Sequence, residues 1–170
     1  MSRINNQAVS DLLANDPAQN TLTMAQALGI TEGEVIRALP SEMVTLWPGS
    51  QSEALLTQLA SWGKLTTIVE SCGSIFEFKG PMPSGRVARG YYNLMGDEGL
   101  HGHLKLDDIA HIALLSKPFM GTESHAFVFI ANDGRSAFKV YLGRDEKRRL
   151  LPEQQQRFLA WRQHDVLPVN

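Results

Sequence analysis

The stretch HAFVFIANDGRSAFKVYLG, residues 125–143, decides the fold class of this 170-residue chain. It contains two runs rich in aromatic and β-branched residues, HAFVFIA and SAFKVYLG, separated by the turn sequence NDGR. An Asp-Gly turn between two such runs is a strong signal of a β-hairpin. A further apolar run of strand length, HIALLSKPF, precedes it from His111. Consecutive runs of this kind predict an antiparallel sheet.

Strand signals extend toward the N-terminus as far as residue 63. KLTTIVES and SIFEFKG flank a short Cys72-Gly73 turn and predict a second hairpin. RVARGYYNLM, which begins at Arg86, is predicted as a single strand. The turn GDEG joins it to LHGHLKL, which is predicted to pair with it as the second strand of a hairpin. The region therefore predicts about seven strands in total.

Helices are predicted on both sides of the strand region. The early segments, such as NNQAVSDLLAND and SQSEALLTQLASWG, have apolar residues at helical spacing, and Thr31 with Glu34 forms a capping box. LPEQQQRFLAWRQH predicts a last helix with Pro152 in its first turn. The fold class is α+β, a large antiparallel β-sheet flanked by N-terminal helices and a C-terminal helix. We expect a single domain over residues 1–170, mainly helical over 1–62, sheet over 63–150 and helical again over 151–165.

Composition excludes several classes of protein. The net charge of −2 and the pI of about 6.2 disfavour nucleic-acid binding, and the one segment that resembles a helix-turn-helix offers only Arg37 as a cation in its second helix. Cys72 is the only cysteine, so no intramolecular disulfide can form. The apolar runs are far shorter than the ~20 residues that span a bilayer. We therefore expect no membrane insertion and a cytoplasmic location.

Three of the five histidines lie in GDEGLHGHLKLDDIAHIALLSKPF, residues 96–119. If LHGHLKL is a strand, His101 and His103 project from the same face, because side chains alternate along a strand. Such a pair can bind zinc, copper or non-haem iron, with His111 as a third ligand if its strand lies alongside. The alternative is that these histidines are exposed or hydrogen-bonded structural residues.

Aromatic and cationic residues accompany the histidines on the predicted hairpin. Tyr91 and Tyr92 are adjacent, so only one of them can share a face with the histidines. Arg86 and Arg89 lie near the start of their strand, and Lys105 lies near the end of the other, so the hairpin brings these cations together. This arrangement suits a flat, anionic, largely apolar ligand. The alternative is that the tyrosines are packing partners and the arginines are solvated.

The sequence offers no recognisable catalytic nucleophile. Ser124-His125 and Ser71-Cys72 lack a nucleophile elbow or an orienting partner. HExxH, CxxC and glycine-rich phosphate loops are all absent. The residues alone therefore give no indication of nucleophilic catalysis.

The sequence contains the stretches EVIRALP, WGKLTTIV, IFEFKGPMPSG, GYYNL, LHGHLKLDDIAHIAL, KPFMGTESHAFVFI and FKVYLGRDEKRRLLPEQ. Taken together, these stretches resemble the HutX/ChuX family of cytosolic bacterial haem-utilisation proteins. The resemblance runs from about Thr21 to Phe158. It implies a fold equivalent to half of the larger HemS/ChuS haem-trafficking proteins, assembled as a homodimer. It also implies that haem is bound as cargo in the cytosol and passed to a radical-SAM haem-opening enzyme of the HutW/ChuW type.

The resemblance also implies an iron ligand. The haem-liganding histidine of the family matches His103, and His101 is the lower-ranked histidine. Tyrosine ligation has been proposed in the family, which makes Tyr92 or Tyr91 in GYYNL the alternative axial ligand. Some relatives carry a further histidine at the position of Glu70, so ligation by two histidines through that strand is not expected here.

Three functions follow from these observations. The first is a haem carrier without turnover, with Arg86, Arg89 and Lys105 contacting the haem propionates on grounds of charge and position. The second is a haem-degrading enzyme, since relatives of the larger fold have been credited with haem breakdown. The third is a mononuclear metal protein that uses His101, His103 and His111 without porphyrin.

Overall fold

The computed structural model describes residues 3–169, which contain five α-helices and nine strands. Residues 1, 2 and 170, which the predicted domain includes, lie outside the described residues. The helices are α1 (Arg3–Asn15), α2 (Thr21–Leu28), α3 (Glu32–Ala38), α4 (Ser52–Leu59) and α5 (Pro152–Trp161). The strands are β1 (Val44–Pro48), β2 (Lys64–Ser71), β3 (Ser74–Pro81), β4 (Gly85–Ala88), β5 (Tyr91–Leu94), β6 (Gly102–Leu104), β7 (Ile109–Ser116), β8 (His125–Ala131) and β9 (Ser136–Leu142).

A six-stranded antiparallel sheet, in the order β1-β7-β8-β9-β2-β3, forms the middle layer. One of its two central strands, β8, is buried from His125 to Ile130, which explains why AFVFI is apolar without alternation. Strands β4, β5 and β6 form a separate three-stranded antiparallel sheet. The predicted α+β class with a large antiparallel sheet is confirmed.

Helices α1, α2 and α3 cover one face of the large sheet. Val9, Met24 and Ile36 are fully buried against small sheet residues that include Ala113 and Ala126. The predicted capping box of α3 is present, because the Thr31 and Glu34 side chains each bond the other residue's backbone N–H. These helices occupy one face of the sheet and leave the other for a second layer.

Helices α4 and α5 and the small sheet cover the opposite face. The aromatic rings of Trp62, Phe127, Phe158 and Trp161 meet there, with the Phe127 and Phe158 centroids 4.9 Å apart. Burial of several large rings at one point contributes hydrophobic stabilisation to this layer. The predicted C-terminal helix therefore belongs to the same core as the small sheet.

The prediction of RVARGYYNLM as one strand is wrong. A two-residue turn at Arg89 and Gly90, with φ of 54° and 79°, divides the segment into β4 and β5, which pair with Ala88 opposite Tyr91. Positive φ at both central residues is the pattern of a type I′ hairpin turn. Arginine rarely adopts this conformation, so the turn lacks the usual Asn-Gly or Asp-Gly signature.

Strand β1 lies inside the region predicted as mainly helical. It pairs with β7, and Trp47 on it is fully buried. Pro48 is compatible with a strand here because β1 is an edge strand of the large sheet. VTLWP is too short to give a strand signal by periodicity, and its pairing with a strand about 65 residues away decides its conformation.

Candidate functional site

The small sheet determines which side chains share a face. Along β5, Tyr92 and Leu94 are buried, whereas Tyr91 is exposed and Asn93 half-buried. His103 on β6 lies directly opposite Asn93. Because opposite residues of an antiparallel pair project from the same face, His103 shares the outer face with Tyr91 and Asn93. The rings of Tyr91 and His103 accordingly lie 6.0 Å apart between centroids, edge to face.

A hydrogen bond fixes the His103 imidazole on this face. Its Nδ1 lies 2.6 Å from Oδ1 of Asn93. The Asn93 amide nitrogen in turn donates to the backbone carbonyl groups of Arg86, Ala88 and Tyr91, at 3.2, 3.1 and 3.1 Å. Asn93 therefore ties the histidine to the β4–β5 hairpin.

An apolar cavity of about 330 Å³ lies between the large sheet and β6. Its volume falls in the range of about 300–1,000 Å³ that is usual for small-molecule sites. Its polar lining comes mainly from the two predicted histidines, His101 and His103, and from Thr67. The apolar lining consists of Val69, Phe76, Phe78, Met82, Leu94, Leu100, Leu104, Ala137 and Phe138. Both histidines therefore border the same apolar space.

A second, more polar cavity of about 510 Å³ adjoins the first. The two share His103, Leu104, Ala137 and Phe138 in their linings. The second cavity is also lined by the cations Lys105 and Arg135 and by acidic residues of the neighbouring turns. His103 therefore lies where an apolar space meets a charged one.

The structure separates the two candidate tyrosines. Tyr92 is only 1% exposed and belongs to the core, whereas Tyr91 is 42% exposed beside His103. Burial is the largest cause that raises the pKa of the Tyr92 phenol, which therefore stays protonated. Of the two, Tyr91 is the tyrosine that lies on the face of His103.

The predicted cations lie around the same hairpin. Lys105 donates to the carbonyl of Gly90, at 3.2 Å, and its Nζ lies 5.3 Å from the centre of the Tyr91 ring. Arg89 lies in the turn beside Gly90, and Arg86 lies opposite Asn93 on β4. Arg135 was not singled out from the sequence, because it sits in the NDGR turn about 30 residues beyond the hairpin. It is paired with Asp133 at 2.7 Å.

His111 does not join the other histidines. Its Nδ1 accepts a hydrogen bond from the Arg37 guanidinium at 3.0 Å. Burial, together with the Arg37 charge, lowers its pKa, so the ring is neutral near pH 7. Within residues 3–169, no group of three or more His, Cys, Asp or Glu side chains is arranged to hold a metal ion. The geometry gives no support to a porphyrin-free metal site built on His101, His103 and His111.

His125 has the orienting partners that sequence reasoning missed. Its Nδ1 lies 2.8 Å from Oγ of Ser116, its partner across β7 and β8, and its Nε2 lies 2.9 Å from a carboxylate oxygen of Glu123. The histidine is only 4% exposed and packs against Phe158, with ring centroids 5.2 Å apart. The His125 ring therefore links β7, β8 and the loop that carries Glu123. Because it is buried and both of its nitrogens have hydrogen-bond partners, it is not available to a substrate.

The fold and these contacts define an α+β domain whose small sheet presents a histidine and a tyrosine beside an apolar cavity. The family described as haem utilisation ChuX/HutX matches residues 45–161, and this chain belongs to that family.

Individual relatives agree with this assignment. The intracellular heme transport protein HutX of Vibrio cholerae serotype O1 is 55% identical over 158 residues, which cover 92% of this chain and 82% of that protein. A crystal structure of ChuX superposes with a TM-score of 0.83 at 34% identity, covering 91% of this chain and 96% of that one. The heme degrading enzyme ChuS of Escherichia coli O157:H7 has a TM-score of 0.77 at 16% identity, and 98% of this chain covers 50% of it. This last similarity concerns the fold alone, and it confirms the predicted likeness to half of the larger fold.

Proposed function

We propose that this chain is an intracellular haem carrier that binds haem as cargo and passes it to a haem-degrading partner. The observation that carries the proposal is the position of His103 between an apolar cavity and a cavity lined by cations. Haem has an apolar macrocycle, two carboxylates and an iron that accepts imidazole. Each of these parts has a chemical counterpart at this site. The relative that shares 55% identity is named a heme transport protein.

In this proposal His103 is the axial ligand of the haem iron. A neutral imidazole offers a nitrogen lone pair to iron, and histidine is a common haem ligand. His101 lines the same apolar cavity and is the secondary histidine. Tyr91, exposed beside His103, is the tyrosine best placed to assist or replace it, whereas Tyr92 would first have to leave the core.

The propionates are assigned to the cations on the polar side. Lys105 and Arg135 line the second cavity, and Arg86 and Arg89 lie on the adjacent hairpin. Arginine and lysine bind carboxylates by charge-assisted hydrogen bonds, and arginine does so in a bidentate geometry. Arg135 is an addition to the cations expected from the sequence.

A haemin titration tests the ligand assignment. The apo protein is expected to give a saturable Soret shift with one haem per chain. His103→Ala should weaken haemin binding at least tenfold and alter the spectrum, because the iron loses its axial nitrogen. Absorbance titration of both proteins under the same conditions measures the difference.

His101→Ala is the matched control, since it removes a second histidine from the same cavity. It should change the affinity less and leave the Soret maximum of the wild type. A His103 variant with unchanged spectrum and affinity would contradict the assignment, and Tyr91→Phe would then be the next variant to titrate.

The same complex distinguishes a carrier from an enzyme. A carrier keeps its haem intact when a reductant and oxygen are supplied, apart from slow, catalase-sensitive loss. Rapid, catalase-insensitive decay of the Soret band to a defined tetrapyrrole would instead establish haem degradation by this chain.

The proposal also includes where the carrier acts in the cell and which enzyme receives its haem. A cytoplasmic location is supported by the name of the Vibrio cholerae relative, which places that protein inside the cell. Within residues 3–169, the helices lack the combination of length and apolar character needed to cross a membrane. We assign the recipient role to a radical-SAM haem-opening enzyme of the HutW/ChuW type, which the family resemblance implies. Mixing the haem complex with that enzyme should transfer the haem.

We further propose that two copies pair through β3. This strand is an edge of the large sheet, and it exposes Ile75, Phe76 and Phe78 at 62%, 52% and 37%. A long edge strand with exposed apolar side chains is a template for pairing with another chain. Because this chain spans half the length of ChuS, a second copy would supply the missing half.

Ile75→Glu tests the pairing. Ile75 lies on the face of β3 opposite Phe76 and Phe78, so the charge does not enter the apolar cavity. Light scattering after size exclusion should give about twice the chain mass of 18.8 kDa for the wild type and a single chain mass for the variant. Met120→Glu, at 81% exposure, is the control that should remain dimeric. A wild type that is monomeric at all concentrations would contradict pairing.

A further inference from the structure

Asn93 lies beside the proposed iron ligand, His103, and its side-chain oxygen contacts Nδ1 of the imidazole. We infer that Asn93 is a positioning residue that sets the tautomer of His103, so that Nε2 carries the lone pair offered to haem. The relevance of this tautomer to haem rests on the proposed function. The tautomer itself follows from the hydrogen bonds of the hairpin alone.

The orientation of the Asn93 amide follows from its neighbours. One end of the amide group lies within 3.2 Å of the carbonyl oxygens of Arg86, Ala88 and Tyr91. Carbonyl oxygens only accept hydrogen bonds, so this end must be the NH₂ group with its two donors. The reverse orientation would set an amide oxygen against three carbonyl oxygens. The amide oxygen, Oδ1, therefore points at His103.

The orientation of the amide then determines the proton on His103. Oδ1 of Asn93 only accepts, and it lies 2.6 Å from Nδ1 of the imidazole. Nδ1 must therefore carry hydrogen, since a bare Nδ1 would put two lone pairs in contact. In the neutral ring a proton on Nδ1 leaves Nε2 bare. Nε2 is then the ring nitrogen with a lone pair for iron.

Nothing in this geometry needs a carboxylate or a water behind the histidine. Histidine ligands usually donate their second N–H to such a partner, which fixes the ring and makes the ligating nitrogen more basic. Asn93 fills this role with a neutral amide, and the β4–β5 turn holds the amide in place through three carbonyl groups. Loss of such a partner typically weakens metal affinity about 10–100-fold.

The first test uses the apo protein. In a sample labelled with ¹⁵N-histidine at alkaline pH, two-bond nitrogen–proton correlations distinguish the two neutral tautomers. The His103 signal, assigned by its absence in His103→Ala, is expected to show the Nδ1–H form. An Nε2–H form in the wild type would overturn the inference.

The second test separates the tautomer from the stability of the hairpin. Asn93→Ala removes both the acceptor for His103 and the donors to the three carbonyl groups. Asn93→Asp keeps an acceptor for His103 but replaces the donors with a carboxylate oxygen that faces the three carbonyl groups, so it weakens the hairpin at least as much as Asn93→Ala does. Haemin affinity is expected to fall about tenfold or more in Asn93→Ala and to be retained in Asn93→Asp. Equal losses in both variants would mean that Asn93 acts only through the hairpin.

These outcomes are distinguishable from failure of the proposed function. If His103→Ala binds haemin as the wild type does, the ligand assignment fails, whatever tautomer the apo protein shows. If His103→Ala loses affinity but Asn93→Ala keeps both the affinity and the Nδ1–H tautomer, the ligand assignment survives and the role of Asn93 fails.

Discussion

Replacing Glu32 with alanine is expected to lower the free energy of unfolding by about 3–5 kcal/mol, because the change leaves a buried lysine without its partner. Glu32 begins α3 and is 3% exposed, and Lys139 on β9 is 8% exposed. The Lys139 ammonium donates to Oε1 of Glu32 at 2.6 Å, and the Thr21 hydroxyl donates to the same oxygen at 2.5 Å. One carboxylate therefore connects α2, α3 and the large sheet.

The charge of Lys139 depends on this carboxylate. Burial alone would lower the pKa of Lys139, but the nearby Glu32 charge and its hydrogen bond, with a contribution from Tyr141, raise it above the ordinary value. Without Glu32, the main influence on the pKa of Lys139 is burial, which lowers the pKa and disfavours the charged ammonium. Chemical denaturation of the apo protein measures the loss, which corresponds to roughly 2–4 °C in melting temperature per kcal/mol.

A double variant and a surface control sharpen this prediction. Glu32→Leu with Lys139→Met removes both charges at similar volume and should recover much of the stability lost in either single change. Glu153→Ala breaks an exposed ion pair with Arg157 and should cost about 1 kcal/mol or less. If Glu32→Ala lowered the free energy of unfolding by less than Glu153→Ala does, the buried pair of Glu32 and Lys139 would contribute nothing to stability. Haemin binding should persist below the melting transition, since Lys139 and Phe138 point to opposite faces of β9.

Replacing Phe127 with alanine is the second large effect, with an expected loss of about 3–5 kcal/mol. Phe127 is fully buried on β8, and its ring lies 4.9 Å from that of Phe158, 5.8 Å from Trp62 and 6.3 Å from Trp161. Its removal leaves a cavity that this aromatic cluster cannot fill without moving α5. Denaturant unfolding, followed by the fluorescence of the three tryptophans, reports the stability and the packing around Trp62 and Trp161.

Phe119→Ala is the matched control, because it makes the same chemical change at a residue that is 39% exposed. Its cost should be well below that of Phe127→Ala, since less apolar area leaves the interior. Equal losses at the two positions would contradict the view that the aromatic cluster joins α5 to the sheet.

The elements with strong local signals could be predicted from the sequence. Strands β8 and β9 begin and end within a residue of HAFVFIA and SAFKVYLG, because the Asp-Gly turn and the β-branched and aromatic runs favour the same hairpin. The capping box of α3 and the proline at the start of α5 could also be predicted, because each depends on only a few neighbouring residues. A pattern of a few neighbouring residues suffices where propensity and turn chemistry agree.

The errors occur where distant contacts override weak local signals. Strand β1 exists because it pairs with β7, and the turn at Arg89 and Gly90 forms although arginine disfavours positive φ. Arg135 reaches the polar cavity only because the turn between β8 and β9 folds toward β6. Asn93 was within a recognised motif, but its bond to His103 depends on strand register, which the motif does not state.

The sequence by itself determined the α+β class, the family and the hairpin that carries His103. It also established that only one of two adjacent tyrosines could lie on the same face as the histidine. The tertiary structure alone decided that this tyrosine is Tyr91 and that Asn93 lies behind the imidazole. The physical reason is that alternation along a strand is local, whereas the choice of buried face and register depends on packing against residues far away in the chain.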